Sequence, residues 1–411
     1  MNYLMPISLG LRVVALGVAG GFAFAVLPVT ARGAGNSEKS AAEARMEISK
    51  LQSPELRLRA DAIMKLRYIG MNGGGAEAIP HLLKFLGDDT QFPQMLLWTS
   101  SLSSLTESCS DHDTLGSEAA ETLARIGRIS DELLALLKQA DWRQRADAAR
   151  ALGGVKDLRA TEKLAALLGQ TDERPAVRGN AALALGLMKA EKGLAPLLAA
   201  VKDPDAMVRA SAASALGRFP LPMIVPPLTA ALRDDDRKVR LKAAGSLGQS
   251  TNALAVPPLI RALGEDRDKQ VREVVAAALG SLKDRRAAGA LINALTDDYV
   301  NVQINAARAL GAMREPAALA PLLMNLQSRE SAVRGAAALA LGDLGDRQAI
   351  PPLITAVKTE LAVDGTSLEC ELRALTALGH VGAKQALEKC RTHPKDWKEW
   401  WATNKEPLLQ P

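Results

Sequence analysis

Aromatic residues are scarce. Five Phe, five Trp and three Tyr serve 411 residues, so the core is not built on rings. The aromatic platforms on which single-stranded bases stack are equally thin. Three Cys exclude a disulfide-dense scaffold and a zinc-spaced cysteine set. Charge of one sign is not in excess either: 51 Lys and Arg against 46 Asp and Glu give a formal +5 and a pI near 9.1. That balance suits a mixed, solvated surface and falls short of a nucleic-acid-binding signature. Gly73-Gly74-Gly75 has no strand pattern before it and no Lys after it, so it reads as a flexible inter-helix turn, not a phosphate cradle. What remains is a chain that is 48% hydrophobic, carried by Ala, Leu and Val.

The one long apolar run is at the start. Arg12 precedes Val13 to Leu27, and Pro28 and Val29-Thr30-Ala31 follow, with small residues at the minus-three and minus-one positions of a cleavage site. Residues 1–31 have the layout of a secretory signal peptide. The alternative is an uncleaved inner-membrane anchor, for which the run is short and glycine-bearing. No Cys follows it, which speaks against a lipid anchor. The expectation is an exported protein, periplasmic or secreted. Residues 32–48 read as a flexible tether.

From residue 49 to 391 the chain repeats itself. Arg178 and Gly186 are followed by Arg209 and Gly217, Arg240 and Gly248, and Arg272 and Gly280, a period near 31 residues. A period of that length means stacked helical units that each pack on their neighbours. In the unit from Asp205, the residues Val208, Ala212, Ala215 and Leu216 fall on one helix face. Gly217 is expected to end that helix as a left-handed C′ residue. Pro226 and Pro227 open a second helix, and Asp234 to Asp236 supply the next N-cap. The template fits six units from Asp172 to Val357 and, more loosely, the stretches around Gly70, Gly127, Gly153 and Leu368. No strand pattern appears anywhere.

These strings resemble the HEAT repeats, and most closely the bacterial subgroup called phycobilisome-lyase HEAT-like repeats. The carrying residues are Asp205-Ala-Met-Val-Arg209, Asp236-Arg-Lys-Val-Arg240 and Asp268-Lys-Gln-Val-Arg272, each followed by an Ala-rich helix ending in Leu-Gly. The resemblance implies an all-α fold, a right-handed α-solenoid of about ten helix pairs, with the second helix of each pair on the concave side.

The Arg column then reads as a structural ladder between units. Each Arg lies four residues after a capping Asp, and Gln303 interrupts the series. The second helices are more informative about partners. Leu197, Leu228, Leu259, Leu291, Leu322 and Leu353 form a constant apolar column. Two positions on, Ala199, Ala230, Arg261, Asn293, Met324 and Thr355 vary; three further on, so do Lys202, Arg233, Gly264, Thr296, Gln327 and Lys358. Variation between units of one chain marks exposed positions, because a packed core does not tolerate it. Lys202, Arg233, Arg261, Asn293 and Lys358 are therefore the candidate partner-binding residues.

Three features break the refrain. An insertion over residues 90–113 carries Cys109 and His112, whose spacing matches no metal-ligand pattern, and ends at Asp113, which would cap the next helix. Cys370 and Cys390 fall opposite one another if the last unit turns near Val381, where export would permit a disulfide. Trp397, Trp400 and Trp401 share one helical face in residues 392–411 and would cover the end of the array. Catalytic signals are nearly absent. None of His81, His112, His380 and His393 is followed by Glu, so the His-Glu metal pairs of deoxyhypusine hydroxylase, another HEAT-built enzyme, are missing. The expected function is a non-catalytic scaffold, monomeric and without cofactors, that binds another protein and not nucleic acid. The resemblance leaves a bilin-lyase-like enzyme or chaperone as the alternative, and nucleic-acid binding of the HEAT-like DNA glycosylase kind as a third.

Overall fold

The computed structural model describes residues 11–18, 21–28, 34–72, 75–91, 114–127, 130–220, 222–362, 368–379, 383–384 and 386–388. The chain divides into two compact units that part between Val155 and Lys156. Helices build both, with one exception. Leu11–Val18 and Gly21–Pro28 pair as an antiparallel hairpin, from Leu11 opposite Pro28 to Val18 opposite Gly21. That departs from the expected absence of strands. The two halves are rich in Val and Phe, residues that suit a pleated pair. Among the described residues, no helix is long and apolar enough to cross a membrane.

In the first unit, residues expected to be a tether are helical instead, over Ala34–Lys50. Ala, Glu and Lys dominate that stretch and favour a helix. Ala44 is buried, and the buried Glu47 carboxylate takes Lys50 at 2.8 Å. The helices Leu56–Met71, Leu115–Ile126 and Trp142–Val155 then pack side by side. Thr114, not Asp113, caps the second of these: its hydroxyl accepts from the Ser117 N–H while the Ser117 hydroxyl accepts from the Thr114 N–H. This capping box satisfies two otherwise orphaned donors. Gln91 and Thr114 form an isolated bridge, and the Leu115 and Gly116 N–H groups donate to Thr90 and Asp88 carbonyls at 3.2 and 2.9 Å. The two ends of the insertion are thus pinned together. Asp147 locks this neck, its buried carboxylate accepting from the Gly87 N–H at 2.8 Å.

In the second unit the refrain becomes a regular build. First helices Pro175–Met188, Ala206–Leu216, Arg237–Gln249, Lys269–Leu282, Val300–Met313 and Ser331–Leu344 each precede a second helix: Glu191–Ala200, Val225–Ala231, Val256–Glu265, Ala288–Ala294, Leu319–Asn325 and Ile350–Ala362. The expected caps form. Asp205, Asp236 and Asp268 each accept two backbone N–H groups of the helix that follows. Val208, Ala212, Ala215 and Leu216 are fully buried, as are all six column leucines from Leu197 to Leu353. Each such leucine contributes on the order of 2 kcal/mol.

The recurring glycine has a different role from the one expected. Gly217 is right-handed, at φ −59° and ψ −15°, and so is not a left-handed cap. It stands where the next first helix comes closest: a methyl there would lie 2.6 Å from the Cβ of Ser246. Gly186 faces Ala215 at 2.6 Å, Gly248 faces Ala278 at 2.6 Å and Gly311 faces Ala340 at 2.7 Å in the same sense. The glycine is kept because consecutive first helices touch backbone to backbone. The left-handed positions fall later, at Lys189, Thr251, Lys283, Arg314 and Gly345, with φ from 49 to 82°. After most of them comes an acceptor, Asn252, Asp284, Glu315 or Asp346, whose side chain caps a short 3-10 turn leading into the second helix.

Candidate partner-binding surface

The Arg column lies between units, as a ladder should, but its partners are not the Asp residues four positions earlier. Arg178 reaches Asp203 at 2.7 Å, and Arg209 reaches Asp234, Arg240 reaches Asp266 and Arg272 reaches Asp297, each at 2.8 Å. Every one of these acids sits just after a second helix and opens the next unit. Each Arg also returns to its own unit. Arg209 donates to the Asp203 carbonyl, Arg240 to that of Asp234 and Arg272 to that of Asp266. The acid of one rung thus lends its carbonyl to the Arg of the next. Gln303 does not break the chain entirely, since its amide donates to the Asp297 carbonyl at 2.6 Å. Burial pushes the Asp234 carboxyl up, but hydrogen bonds from Arg209 and the Asp236 N–H outweigh it and hold it below the usual carboxylate range. The ladder is closed on itself and offers a partner little.

The second helices offer more. Ala199, Ala230, Arg261, Asn293, Met324 and Thr355 are all exposed, and so are Lys202, Arg233, Gly264, Thr296 and Gln327. Met324 keeps 73% of its surface. Lys358 lies on the backbone of Ile350–Ala362, and its side chain lies outside the described residues. The structure brings two of the five candidates together. Arg233 and Arg261, one unit apart, line the same groove of about 500 Å³ between successive second helices. Apart from Thr229 its other walls are apolar, Pro222, Pro226, Leu254 and Pro258 among them. Both arginines also line an adjoining recess of about 310 Å³, where Asp235, Glu265 and Arg267 join them. Lys202 and Asn293 are exposed but belong to neither hollow.

The apolar floor was not legible beforehand. Leu254, which lines the groove, is 65% exposed at the middle of the 3-10 turn Ala253–Ala255; Met223, 53% exposed, holds the same place in the turn Pro222–Ile224 but is not part of the lining. The residue after each, Ala255 or Ile224, is buried. An apolar residue at the middle of such a turn is the signal that would have found it. The remaining candidates stay apart from this surface. Cys370 is half-buried on the helix Leu368–Ala377, while Cys390, and with it the pairing, lies outside the described residues. So do Trp397, Trp400, Trp401, Cys109, His112 and Asp113. No group of three metal-ligating side chains forms among the described residues.

Comparison with known proteins fits this build. The family model for HEAT repeats matches over residues 130–217, 194–280, 256–334 and 288–366, which together span more than half of the chain. The chain belongs to the HEAT-repeat family. No curated protein matches the sequence. Among solved structures, this HEAT chain is similar to Kap95p in its complex with RanGDP, at 15% identity and TM-score 0.50, covering 82% of this chain and 55% of that one. It is also similar to Escherichia coli YibA, at 24% identity and TM-score 0.48, covering 62% and 95%. CpcE and CpcF of phycocyanin lyase from Nostoc match at 20% identity and TM-score 0.37, covering 61% and 94%. At these identities the likeness is one of fold. HEAT solenoids in general serve as protein-interaction scaffolds.

Proposed function

We propose that the chain is a non-catalytic scaffold that binds another protein along the exposed face of its second helices. The observation that carries this reading is the contrast within each helix pair. One column of six leucines is fully buried, while the column two residues on is exposed in all six units and holds five residue types, Ala twice and then Arg, Asn, Met and Thr. A face that varies while its support is constant is free to fit a partner. The groove at Arg233 and Arg261 gives that face a concave, partly apolar feature of the kind that anchors side chains. The layout of residues 1–31 supports export as the setting, in the periplasm or outside the cell.

Site-specific photo-crosslinking tests the reading. A benzophenone side chain at Ala230 or Met324 should capture the same protein from envelope extract, in competition with unlabelled chain. The same label at Ala277 or Arg308, exposed on first helices, should not capture it. Capture from the first-helix positions alone, or of no common protein from the second-helix positions, overturns the proposal. Fractionation and the mass of the mature N-terminus test export.

A further inference from the structure

Within the scaffold reading, on which this inference rests, the groove between the helices Val225–Ala231 and Val256–Glu265 has a chemistry that selects its occupant. Its lining contains two charged residues among the described ones, Arg233 and Arg261, and both are cationic. Among the described residues no ion pair engages either, and both are exposed. The acids nearest in sequence are committed elsewhere. Asp234 is held by Arg209 at 2.8 Å and Asp266 by Arg240 at 2.8 Å. The exposed carboxylates Asp235 and Glu265 line the adjoining recess and not this groove. The floor is apolar and stiff, with Pro222, Pro226 and Pro258 beside the exposed Leu254. Proline walls lose little freedom when covered.

We propose that this groove takes an acidic segment of a partner protein, seating an apolar side chain against Leu254 and the prolines and placing carboxylates on Arg233 and Arg261. Two guanidinium groups that no ion pair engages among the described residues match carboxylates in forked, two-bond geometry. The apolar floor supplies the contact that a free anion cannot use. A volume near 500 Å³ holds a few side chains, not a folded domain. Nucleic acid would meet the same arginines, but the groove's lining adds no aromatic platform among the described residues.

Fluorescence anisotropy with the full chain tests this. The probe is a fluorescein-labelled peptide of repeated Glu-Pro-Leu-Glu, set against its counterpart with Gln for every Glu. The Glu peptide should bind, weaken with added salt, and exceed the Gln peptide by roughly tenfold or more. The double variant Arg233→Glu, Arg261→Glu should lose roughly tenfold or more of that affinity. Arg285→Glu, an exposed charge on an inter-helix turn, should leave it unchanged, and Leu254→Ser should weaken it without altering the salt slope. Circular dichroism confirms that each variant folds. Equal binding of both peptides, an equal loss in Arg285→Glu, or tighter binding of a single-stranded oligonucleotide through the same arginines overturns the inference. If crosslinking at Ala230 and Met324 captures a partner whose binding survives the double charge reversal, the scaffold reading stands and this inference falls.

Discussion

Arg240 and Asp266 lie 26 residues apart and in different repeat units, yet the guanidinium Nε sits 2.8 Å from the carboxylate, with both side chains less than a tenth exposed. The same guanidinium donates to the Asp234 and Asp235 carbonyls at 2.9 and 3.1 Å. One side chain therefore ties two units and closes the turn between them. Breaking one partner should leave a buried charge uncompensated. Arg240→Ala is expected to destabilise by about 3–5 kcal/mol, seen as a lower urea midpoint and faster amide exchange over residues 225–282. The double change to Arg240→Met and Asp266→Leu should recover most of that loss, because an apolar pair of similar size removes the desolvation cost along with the attraction.

The glycines divide into three kinds by what surrounds them. Gly248→Ala puts a methyl 2.6 Å from the Ala278 Cβ, and overpacking of that sort costs about 1–3 kcal/mol. Gly345→Ala meets nothing within 4 Å but sits at φ +82°, so it should lose about 1–2 kcal/mol to backbone strain alone. Gly264→Ala meets nothing either, lies within the helix Val256–Glu265 and has no positive φ. It should gain about 0.5–1 kcal/mol from helix propensity. Thermal unfolding of the three variants separates these cases, and a loss at Gly264 would show that the packing account is incomplete.

Left-handed residues that are not glycine point the other way. Lys283 at φ 50° and Thr251 at φ 52° hold a conformation that L side chains adopt at a cost. Lys283→Gly and Thr251→Gly should each stabilise by about 0.5–1 kcal/mol after the entropy of the unfolded glycine is counted. The β-branched Thr251 should gain more. A fall in melting temperature for both variants would contradict this.

Acid should act in opposite senses on the two units. Asp234 and Asp297 are held below the usual carboxylate range: burial opposes this, and hydrogen bonds from Arg209 and Arg272 prevail. Their contribution is present above about pH 3.9, the unfolded value, and is lost as pH falls through the folded one. Asp147 is pushed up by burial, against the opposing effects of Arg150 and the Gly87 N–H. Its contribution is full below the unfolded value and lost as pH rises through the folded one. Asp147→Asn keeps an acceptor for Gly87, so it should stabilise the first unit at neutral pH and match the parent near pH 3. Asp147→Ala orphans the Gly87 N–H and should cost about 1–3 kcal/mol. Amide exchange over residues 85–88 and 115–123 at both pH values reads the difference.

Much of this was legible because a repeat reports its own environment. A position that stays Leu in six units must be buried, and one that is Arg, Asn, Met and Thr in turn must be exposed; Leu259 and Arg261 bear out both. Capping by Asp205, Asp236 and Asp268 was legible for a similar reason, since acceptor and donors lie within three residues. The hairpin of Leu11–Val18 with Gly21–Pro28 and the helix at Ala34–Lys50 were not. Local composition there admits several backbones: the Gly and Ser of residues 33–40 suit a tether, while the Ala, Glu and Lys among and after them suit the helix that forms.

The periodicity by itself determined the helix pairs and the division between buried and exposed faces, and the recurring Asp-to-Arg strings carried the resemblance to the HEAT repeats, because these follow from contacts within one unit and its copy. Tertiary structure decided what the constant letters are for. Arg209 has two candidate acids in sequence range, and only the approach of the next unit selects Asp234 over Asp205. Gly217 suits a helix end and a close crossing equally, and only the distance to Ser246 chooses. Arg233 and Arg261 are 28 residues apart in the chain, and their sharing of one apolar groove depends on how far each unit is displaced along the stack. That displacement is set by the sum of all the small-residue contacts between first helices, a quantity that no single unit of the sequence contains.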